Sequence, residues 1–169
     1  MEQLPSISLI GMPGVGKSSV GILLAKLCGL RFMDTDVDIQ VREGATLEEI
    51  LLRDGYRRLR EIEEEVLLGL DLSGAVIATG GSVVYSDAVM QRLAAQGPVV
   101  YLRAELATLQ ARVAAAPPRG IASDSKQGFA EIFAERTPLY QRYATLSIDT
   151  RGLDPAQVAG EILAQVSSS

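Results

Sequence analysis

The chain has 169 residues, which is the size of one ordinary domain. Lysine and arginine total 16 against 21 aspartates and glutamates, and the resulting formal charge of −5 argues against a protein that coats nucleic acid. Histidine is absent and Cys28 is the only cysteine, which excludes histidine-based triads, histidine-ligated metals and an internal disulfide. Acid–base chemistry must therefore come from Asp, Glu, Lys, Tyr or the backbone, and a bound metal should be a hard ion on oxygen ligands.

The first residues and the apolar segments give no sign of membrane attachment. Residues 1–10 carry Glu2 and no basic segment, so they do not resemble a secretory signal. No apolar stretch reaches the roughly 18 residues that a membrane span requires. We therefore expect a cytoplasmic enzyme or ligand-binding domain with no membrane or nucleic-acid partner.

Short apolar runs and segments of helical periodicity alternate along the chain. In the first half of the chain, they predict a strand at 7–10, a glycine-rich loop at 11–16, a helix at 17–27, a strand at 31–33, helices at 36–43, 46–53 and 56–70, and a strand at 75–78. In the second half, they predict a helix at 87–95, a strand at 98–102, a helix at 105–115, a mobile loop at 117–127, a helix at 128–143, a strand at 146–149 and a helix at 155–166. This alternation is typical of a single three-layer α/β domain, in which helices cover both faces of a five-stranded parallel sheet.

Residues 11–18 (Gly-Met-Pro-Gly-Val-Gly-Lys-Ser) match the P-loop pattern G-x-x-x-x-G-K-[ST]. The motif follows a predicted strand and opens a predicted helix, which is the context that a P-loop needs. Its glycines let backbone N–H groups turn toward an anion, and the helix N-terminus adds positive potential. We therefore expect Lys17 to reach the β- and γ-phosphates of a nucleotide and Ser18 to hold Mg²⁺.

Asp34 and Asp36 follow the second predicted strand. Ligands gather at the carboxyl ends of parallel strands, so both aspartates could face the P-loop. One of them, near Ser18, could serve Mg²⁺ through water, and the other could orient a substrate hydroxyl group or accept its proton. Alternatively, the pair forms an Asx turn and the N-cap of the next helix.

Five motifs, in their order and spacing, resemble those of shikimate kinases, which are small P-loop kinases of the nucleoside-monophosphate-kinase type. They are the P-loop at 11–18, Asp-Thr-Asp at 34–36, Leu-Arg at 59–60 followed by Ile-Glu-Glu at 62–64, Ala-Thr-Gly-Gly at 78–81 and Arg-Thr-Pro-Leu-Tyr at 136–140. The resemblance covers nearly the whole chain. It implies the P-loop kinase fold with strand order 2-3-1-4-5, a substrate-binding segment at about 36–60, a mobile lid at about 115–127 and a monomer.

The resemblance also implies a reaction, the ATP-dependent phosphorylation of the 3-hydroxyl group of shikimate. ATP would be held by the P-loop residues Gly14, Val15, Gly16, Lys17, Ser18 and Ser19. Arg112 would lie near the adenine, and Arg119 in the lid would close over the phosphates. Ser18 and Asp34 would serve Mg²⁺.

On the acceptor side, the resemblance implies that Asp36 binds the substrate hydroxyl groups and acts as base. Arg60 and Arg136 would grip the carboxylate, and the backbone of Gly80 and Gly81 would contact the substrate. A carboxylate suits bidentate arginines, and a positive side chain delivered by a closing loop stabilises a transferring phosphoryl group.

The charged run around Arg60 also allows a simpler interpretation. Arg57, Arg58 and Arg60 stand beside Glu61, Glu63, Glu64 and Glu65. Such a run is often a solvated helix face with i,i+4 ion pairs. Arg136 could likewise be an ordinary surface residue near a helix kink at Pro138.

Three positions depart from the pattern that the resemblance implies. Ser82 stands where a third glycine is usual, Leu59 where phenylalanine is usual, and Gly120 where the lid usually has proline after its arginine. All three fall on the acceptor or lid side of the site. They leave open a kinase of the same fold acting on another small hydroxy acid or polyol, such as gluconate.

A non-catalytic nucleotide-binding regulator is the third hypothesis. Its GTPase form fails because the sequence has no asparagine, so no Asn-Lys-x-Asp guanine motif can exist. A degenerate kinase is disfavoured because Lys17, Ser18, Asp34 and Asp36 are all present.

Overall fold

The computed structural model describes residues 4–117, 120–123 and 127–168 of the chain. The strands are β1 (Ile7–Ile10), β2 (Arg31–Asp34), β3 (Ala75–Ala78), β4 (Val99–Arg103) and β5 (Leu146–Asp149). The helices are α1 (Lys17–Cys28), α2 (Thr35–Glu43), α3 (Leu47–Asp54), α4 (Tyr56–Gly69), α5 (Asp87–Gln96), α6 (Leu106–Ala115), α7 (Phe129–Tyr143) and α8 (Pro155–Ser167), and a 3₁₀ helix spans Val83–Tyr85. The predicted strands and helices are confirmed, and the 3₁₀ helix was not predicted.

The five strands form one parallel sheet in the order β2-β3-β1-β4-β5, which confirms the expected topology. β1 lies at its centre, where Ser8 pairs with Ile77 on one side and Val99 on the other. β1 and β3 are buried along their whole length, as expected for apolar strands covered on both faces. The carboxyl ends of β1, β2 and β3 therefore meet at one edge of the sheet.

The main core joins the sheet to the helices that flank it. Its helical contributors include Leu24 of α1, Leu67 of α4, Leu93 of α5, Tyr140 of α7 and Ile162 of α8. All five side chains are buried. This core fixes the P-loop between β1 and α1. Among the described residues, no helix is long and apolar enough to cross a membrane.

A second, smaller apolar cluster lies beside the main core. Its buried members are Ile39, Ile50, Leu59, Ile62, Val66 and Ala122. They join α2, α3 and α4 to one residue of the predicted lid. α3 begins with the predicted capping box, in which Thr46 and Glu49 bond each other's backbone N–H groups at 3.2 and 3.0 Å. This cluster lies under residues 36–60, the segment that the family resemblance predicts to bind the substrate.

Candidate active site

A cavity of about 280 Å³ opens at the carboxyl edge of the sheet. The predicted residues that line it are Gly14, Gly16, Lys17, Ser18, Ser19, Asp34, Asp36, Gly80, Gly81, Arg112 and Arg136. The structure thus gathers the P-loop, the carboxylate pair and one arginine of the predicted acceptor site around one space. Leu59 and Ser82, the two departures near the acceptor, also line it.

The P-loop takes the backbone form that its glycines permit. Gly14 and Gly16 have φ values of +88° and +100°, in a region that other residues rarely adopt. The ammonium group of Lys17 donates to the carbonyl oxygens of Gly11 and Met12 at 2.6 and 3.0 Å, which holds the lysine along the loop. The geometry is that of a backbone cradle with a positive charge beside it, which suits a phosphate chain.

Asp34 links the P-loop helix to the acceptor side. Its Oδ2 accepts a hydrogen bond from the Ser18 hydroxyl group at 2.8 Å, and its Oδ1 accepts one from the backbone N–H of Asp36 at 3.0 Å. The second bond makes Asp34 the N-cap of α2. The N-cap alternative is therefore confirmed for Asp34, and its other oxygen faces Ser18, where the sequence predicts the Mg²⁺ site.

Glu63 is a site residue that the sequence analysis did not identify. It is buried and lines the cavity, and a Cβ placed on Gly80 would lie 2.5 Å from its Oε2 and 2.9 Å from Oδ1 of Asp36. Glycine at position 80 therefore lets two carboxyl groups converge on the same backbone. Burial and then the negative charge of Asp36 raise the pKa of Glu63 to about 7, against the opposing effects of Ser82, Arg136 and Lys17.

The interpretation of residues 57–65 as one solvated face was wrong for Glu63. Glu61 and Glu65 are exposed, as that interpretation expects, and both pair with Arg58, at 3.2 and 3.1 Å, at i,i+3 and i,i+7 spacings rather than i,i+4. Glu63 instead points inward and accepts a hydrogen bond from the Ser82 hydroxyl group at 2.9 Å. The serine that replaces the usual glycine therefore supplies a partner for a buried carboxyl group.

Arg136 and Arg60 meet at a backbone carbonyl of the lid. Nη2 of Arg136 and Nε of Arg60 both donate to the carbonyl oxygen of Ala122, at 3.1 and 2.9 Å. Arg136 is 1% exposed, so the interpretation of it as a surface residue was wrong. Arg60 is half-buried and lines an adjoining hollow of about 190 Å³, whose wall includes Glu63 and Ser82. A site with two guanidinium groups beside one oxygen suits an anion with two oxygens.

A second cavity, of about 360 Å³, lies on the other side of the P-loop. It is lined by Gly14, Val15, Gly16, Ser19, Val20, Arg112, Thr150, Leu153, Pro155 and Val158. Arg112 lines both cavities and donates to the carbonyl oxygen of Gly14 at 3.2 Å. The residues from the β5–α8 connection were not predicted, because no motif marks them.

The described part of the lid lies against the start of α3. A Cβ on Gly120 would lie 2.5 Å from the carbonyl carbon of Leu47 and 2.8 Å from the amide nitrogen of Glu48. Gly120, Ile121 and Ala122 line the main cavity, so this segment forms part of its cover. Arg119, the predicted lid arginine, lies outside the described residues.

Comparisons with known proteins agree with this geometry. The family model for shikimate kinase matches residues 13–167. The shikimate kinase of Rhodococcus erythropolis is 37% identical over 166 residues, which is 96% of this chain and 97% of that protein. The structure of shikimate kinase from Acinetobacter baumannii in complex with shikimate has a TM-score of 0.87 and 31% identity, covering 99% of this chain and 95% of that one. Shikimate kinase from Aquifex aeolicus gives a TM-score of 0.80 at 27% identity, with 96% of each chain covered. With its P-loop, its paired carboxyl groups and its buried arginine in one cavity, this chain belongs to the shikimate kinase family.

Proposed function

We propose that this chain transfers the γ-phosphoryl group of ATP to the 3-hydroxyl group of shikimate, giving shikimate 3-phosphate and ADP. The observation that carries the proposal is one cavity that contains both halves of such a reaction. Lys17 and the P-loop line one part, and Asp36, Glu63 and the buried Arg136 line the other. A phosphate donor and a hydroxy acid bound there would lie side by side.

The P-loop and Arg112 hold the nucleotide in this proposal. Backbone N–H groups of residues 14–19 bind the phosphates, and Lys17 leaves the carbonyl groups of Gly11 and Met12 to reach the β- and γ-phosphates. The second cavity takes the adenine, with Arg112 at the boundary between base and phosphates. Arg119 closes over the phosphates as the lid arginine.

Ser18 and Asp34 are the residues that would hold Mg²⁺. Their hydroxyl and carboxylate oxygens lie 2.8 Å apart beside the P-loop, and oxygen donors are those that Mg²⁺ prefers. Nucleotide phosphates and water would complete its coordination, as is usual for Mg²⁺ at kinase sites. When bound, Mg²⁺ supplies charge that balances the phosphate oxygens.

Asp36 and the arginines act on the acceptor. The substrate 3-hydroxyl oxygen attacks the γ-phosphorus in line, the bond to the ADP oxygen breaks, and Asp36 takes the hydroxyl proton. Arg136 and Arg60 bind the substrate carboxylate in place of the Ala122 carbonyl group. The backbone of Gly80 and Gly81 contacts the sugar-like ring.

The proposal also includes a substrate-binding segment, a lid and a monomeric state. Residues 36–60 form the substrate-binding segment, residues 115–127 form the lid, and the chain acts as a cytoplasmic monomer on small molecules. Closure of the lid excludes water and so favours transfer to the acceptor over hydrolysis.

ADP release with Mg²⁺-ATP, measured with and without shikimate and with gluconate as the control acceptor, tests the proposal. We expect turnover that depends strongly on shikimate and a ³¹P signal of a phosphate monoester on the product. Turnover that gluconate supports and shikimate does not would overturn the choice of acceptor. Absence of turnover with every acceptor, while ATP still binds, would favour a nucleotide-binding regulator.

A further inference from the structure

Tyr85 ends the 3₁₀ helix beside the acceptor side of the site, and the proposed reaction does not use it. Its ring is half-buried, and Cζ of Arg60 lies 3.8 Å from the ring centroid. The same guanidinium group lies 5.1 Å from the ring of Tyr56. A cation over an aromatic face is attracted without using any of its N–H donors. Tyr85 therefore holds Arg60 while leaving its hydrogen bonds for an anion.

The Tyr85 hydroxyl group contacts the second arginine. It donates to Oε1 of Glu135 at 2.7 Å and accepts a hydrogen bond from Nε of Arg136 at 3.3 Å. The carboxylate of Glu135 also accepts from Gln127 at 2.7 Å, which fixes the far end of this chain of bonds. A phenol that donates to a carboxylate is a better acceptor for a cation.

Tyr85 contacts the two guanidinium groups at different atoms, Nε of Arg136 and Cζ of Arg60. Nε of Arg136 bonds Tyr85, whereas its Nη1 would lie 2.9 Å from a Cβ on Gly81, at the cavity wall. Both arginines also share the Ala122 carbonyl oxygen. One tyrosine thus contacts both cations through different parts of its side chain, the face and the hydroxyl group.

We propose that Tyr85 is a positioning residue that sets Arg60 and Arg136 at the spacing that a substrate carboxylate requires. Its ring acts on Arg60, and its hydroxyl group acts on Arg136. The inference rests on the proposed function, because the carboxylate is that of the acceptor. It assigns to Tyr85 a role in acceptor recognition and none in nucleotide binding.

Two variants separate the two contacts. Tyr85→Phe removes the hydroxyl group and keeps the ring, and we expect kcat/KM for shikimate to fall about fivefold. Tyr85→Leu removes both contacts, and we expect a fall of about thirtyfold. In each case the loss should be carried by the KM for shikimate, while the KM for ATP stays within about twofold of the parent value.

Tyr143→Phe is the matched control. Tyr143 is also half-buried, donates to a carboxylate (Asp87, 2.8 Å) and carries an arginine, Arg142, 5.4 Å from its ring, but it lies outside the cavity lining. This variant should keep both KM values. Thermal unfolding of all variants shows whether each one is folded at the assay temperature.

The methyl ester of shikimate provides the decisive comparison, since it keeps the ring hydroxyl groups and lacks the carboxylate charge. If Tyr85 acts through the arginines, its variants lose activity on shikimate and change little on the ester. Equal losses on both acceptors, or a rise in the KM for ATP, would show a general structural role and overturn the inference. Unchanged kinetics on shikimate would overturn it as well. Failure of the parent protein to use shikimate would instead contradict the proposed function.

Discussion

At the scale of single residues, the charge of the site near neutral pH depends on whether the carboxyl group of Glu63 is protonated. It faces Asp36 across Gly80, and burial together with Asp36 raises its pKa to about 7. The sequence contains no histidine, so no imidazole titrates in this pH range. Near neutral pH the cavity beside Asp36 therefore changes charge through a glutamate.

The Glu63→Gln variant should change how stability depends on pH. A carboxyl group whose pKa is raised on folding, here from 4.5 to about 7, stabilises the fold fully below the lower value, and this stabilisation is lost as the pH rises through the upper one. Glutamine has the same shape and does not ionise. We therefore expect that, from pH 5 to pH 8, the free energy of unfolding of the variant rises by about 2 kcal/mol relative to that of the parent. Denaturant unfolding at both pH values measures it, and equal pH dependence in the two proteins would contradict a buried, titrating Glu63.

Ser82→Ala should raise the pKa of Glu63 further. The Ser82 hydroxyl group donates to Oε1 of Glu63, and this hydrogen bond lowers the pKa of the carboxyl group. Without the bond, the anionic form loses a partner and the pKa rises above about 7. Carboxyl infrared bands followed against pH, with Glu63→Gln to assign them, measure the shift. A downward shift would show that serine does not stabilise the anion.

Asp36→Asn should keep ATP binding and lose activity. Asp36 lines the cavity beside Gly80, and as the proposed base it contributes a factor of about 10² to 10⁴ in kcat. Asp38→Asn, two residues further along α2, is the matched control and should retain activity within about twofold. Steady-state kinetics together with calorimetric titration of Mg²⁺-ATP test both variants. Loss of ATP affinity in Asp36→Asn would assign this carboxylate to the metal instead.

Site residues differ in how far the sequence reveals them. The P-loop could be predicted because its residues are contiguous and their chemistry depends on local backbone geometry. Glu63 could not, because it stands in a charged run, and only the packing of α4 against the 3₁₀ helix decides which glutamate turns inward. Tyr85 and Ala122 meet Arg60 and Arg136 across long sequence separations, and no spacing encodes such contacts.

At the scale of elements, helix and strand ends follow closely from the sequence. Glycines and capping residues mark most of these ends, as Thr46 and Gly44 do around α3 and α2. The 3₁₀ helix Val83–Tyr85 escaped prediction because three residues are too few to show a period. The strand order came from the family resemblance, since periodicity shows that strands are buried but not which ones are neighbours.

The contact between the lid and α3 has a testable consequence. A Cβ on Gly120 would lie 2.5 Å from the carbonyl carbon of Leu47, so in Gly120→Ala the segment must move away from α3. The Ala122 carbonyl group would then leave the arginines. Because this carbonyl group and the substrate carboxylate compete for the same N–H donors in the proposed function, we expect the KM for shikimate to fall about three- to tenfold. Gly128→Ala is the control, because a Cβ there meets nothing within 4 Å. Equal kinetics in the two variants would contradict a role for this contact.

At the scale of the whole molecule, the two apolar clusters stabilise different parts of the site. The main core fixes the sheet and the P-loop, whereas the smaller cluster of α2, α3 and α4 carries the acceptor side and reaches the lid through Ala122. Small clusters open locally more often than large cores. In the proposed function, we therefore expect acceptor binding to change the structure of α2 and α3 more than that of the P-loop.

Amide hydrogen exchange tests this division. We expect amides of α2 and α3 to exchange faster than those of β1 and β3 in the ligand-free protein. Shikimate should slow the exchange of α2 and α3, and ATP should act mainly on residues 11–19. Uniform protection across the chain, or the same pattern of change with both ligands, would contradict separate stability of the two parts.

The chain has five tyrosines, three phenylalanines and no tryptophan, so tyrosine dominates its ultraviolet fluorescence. Tyr101 and Tyr140 stack 5.2 Å apart in the core, and the Tyr140 hydroxyl group donates to the carbonyl oxygen of Gly81 in the cavity wall. Tyr85 and Tyr143 each have an arginine over the ring and donate a hydrogen bond to a carboxylate, and of these two it is Tyr85 that contacts Arg60 and Arg136. An excited phenol is a stronger acid, and a carboxylate acceptor quenches its light. A bound carboxylate that moves the arginines away from Tyr85 would change the tyrosine fluorescence. Binding of the acceptor could therefore be followed by this fluorescence without an added label.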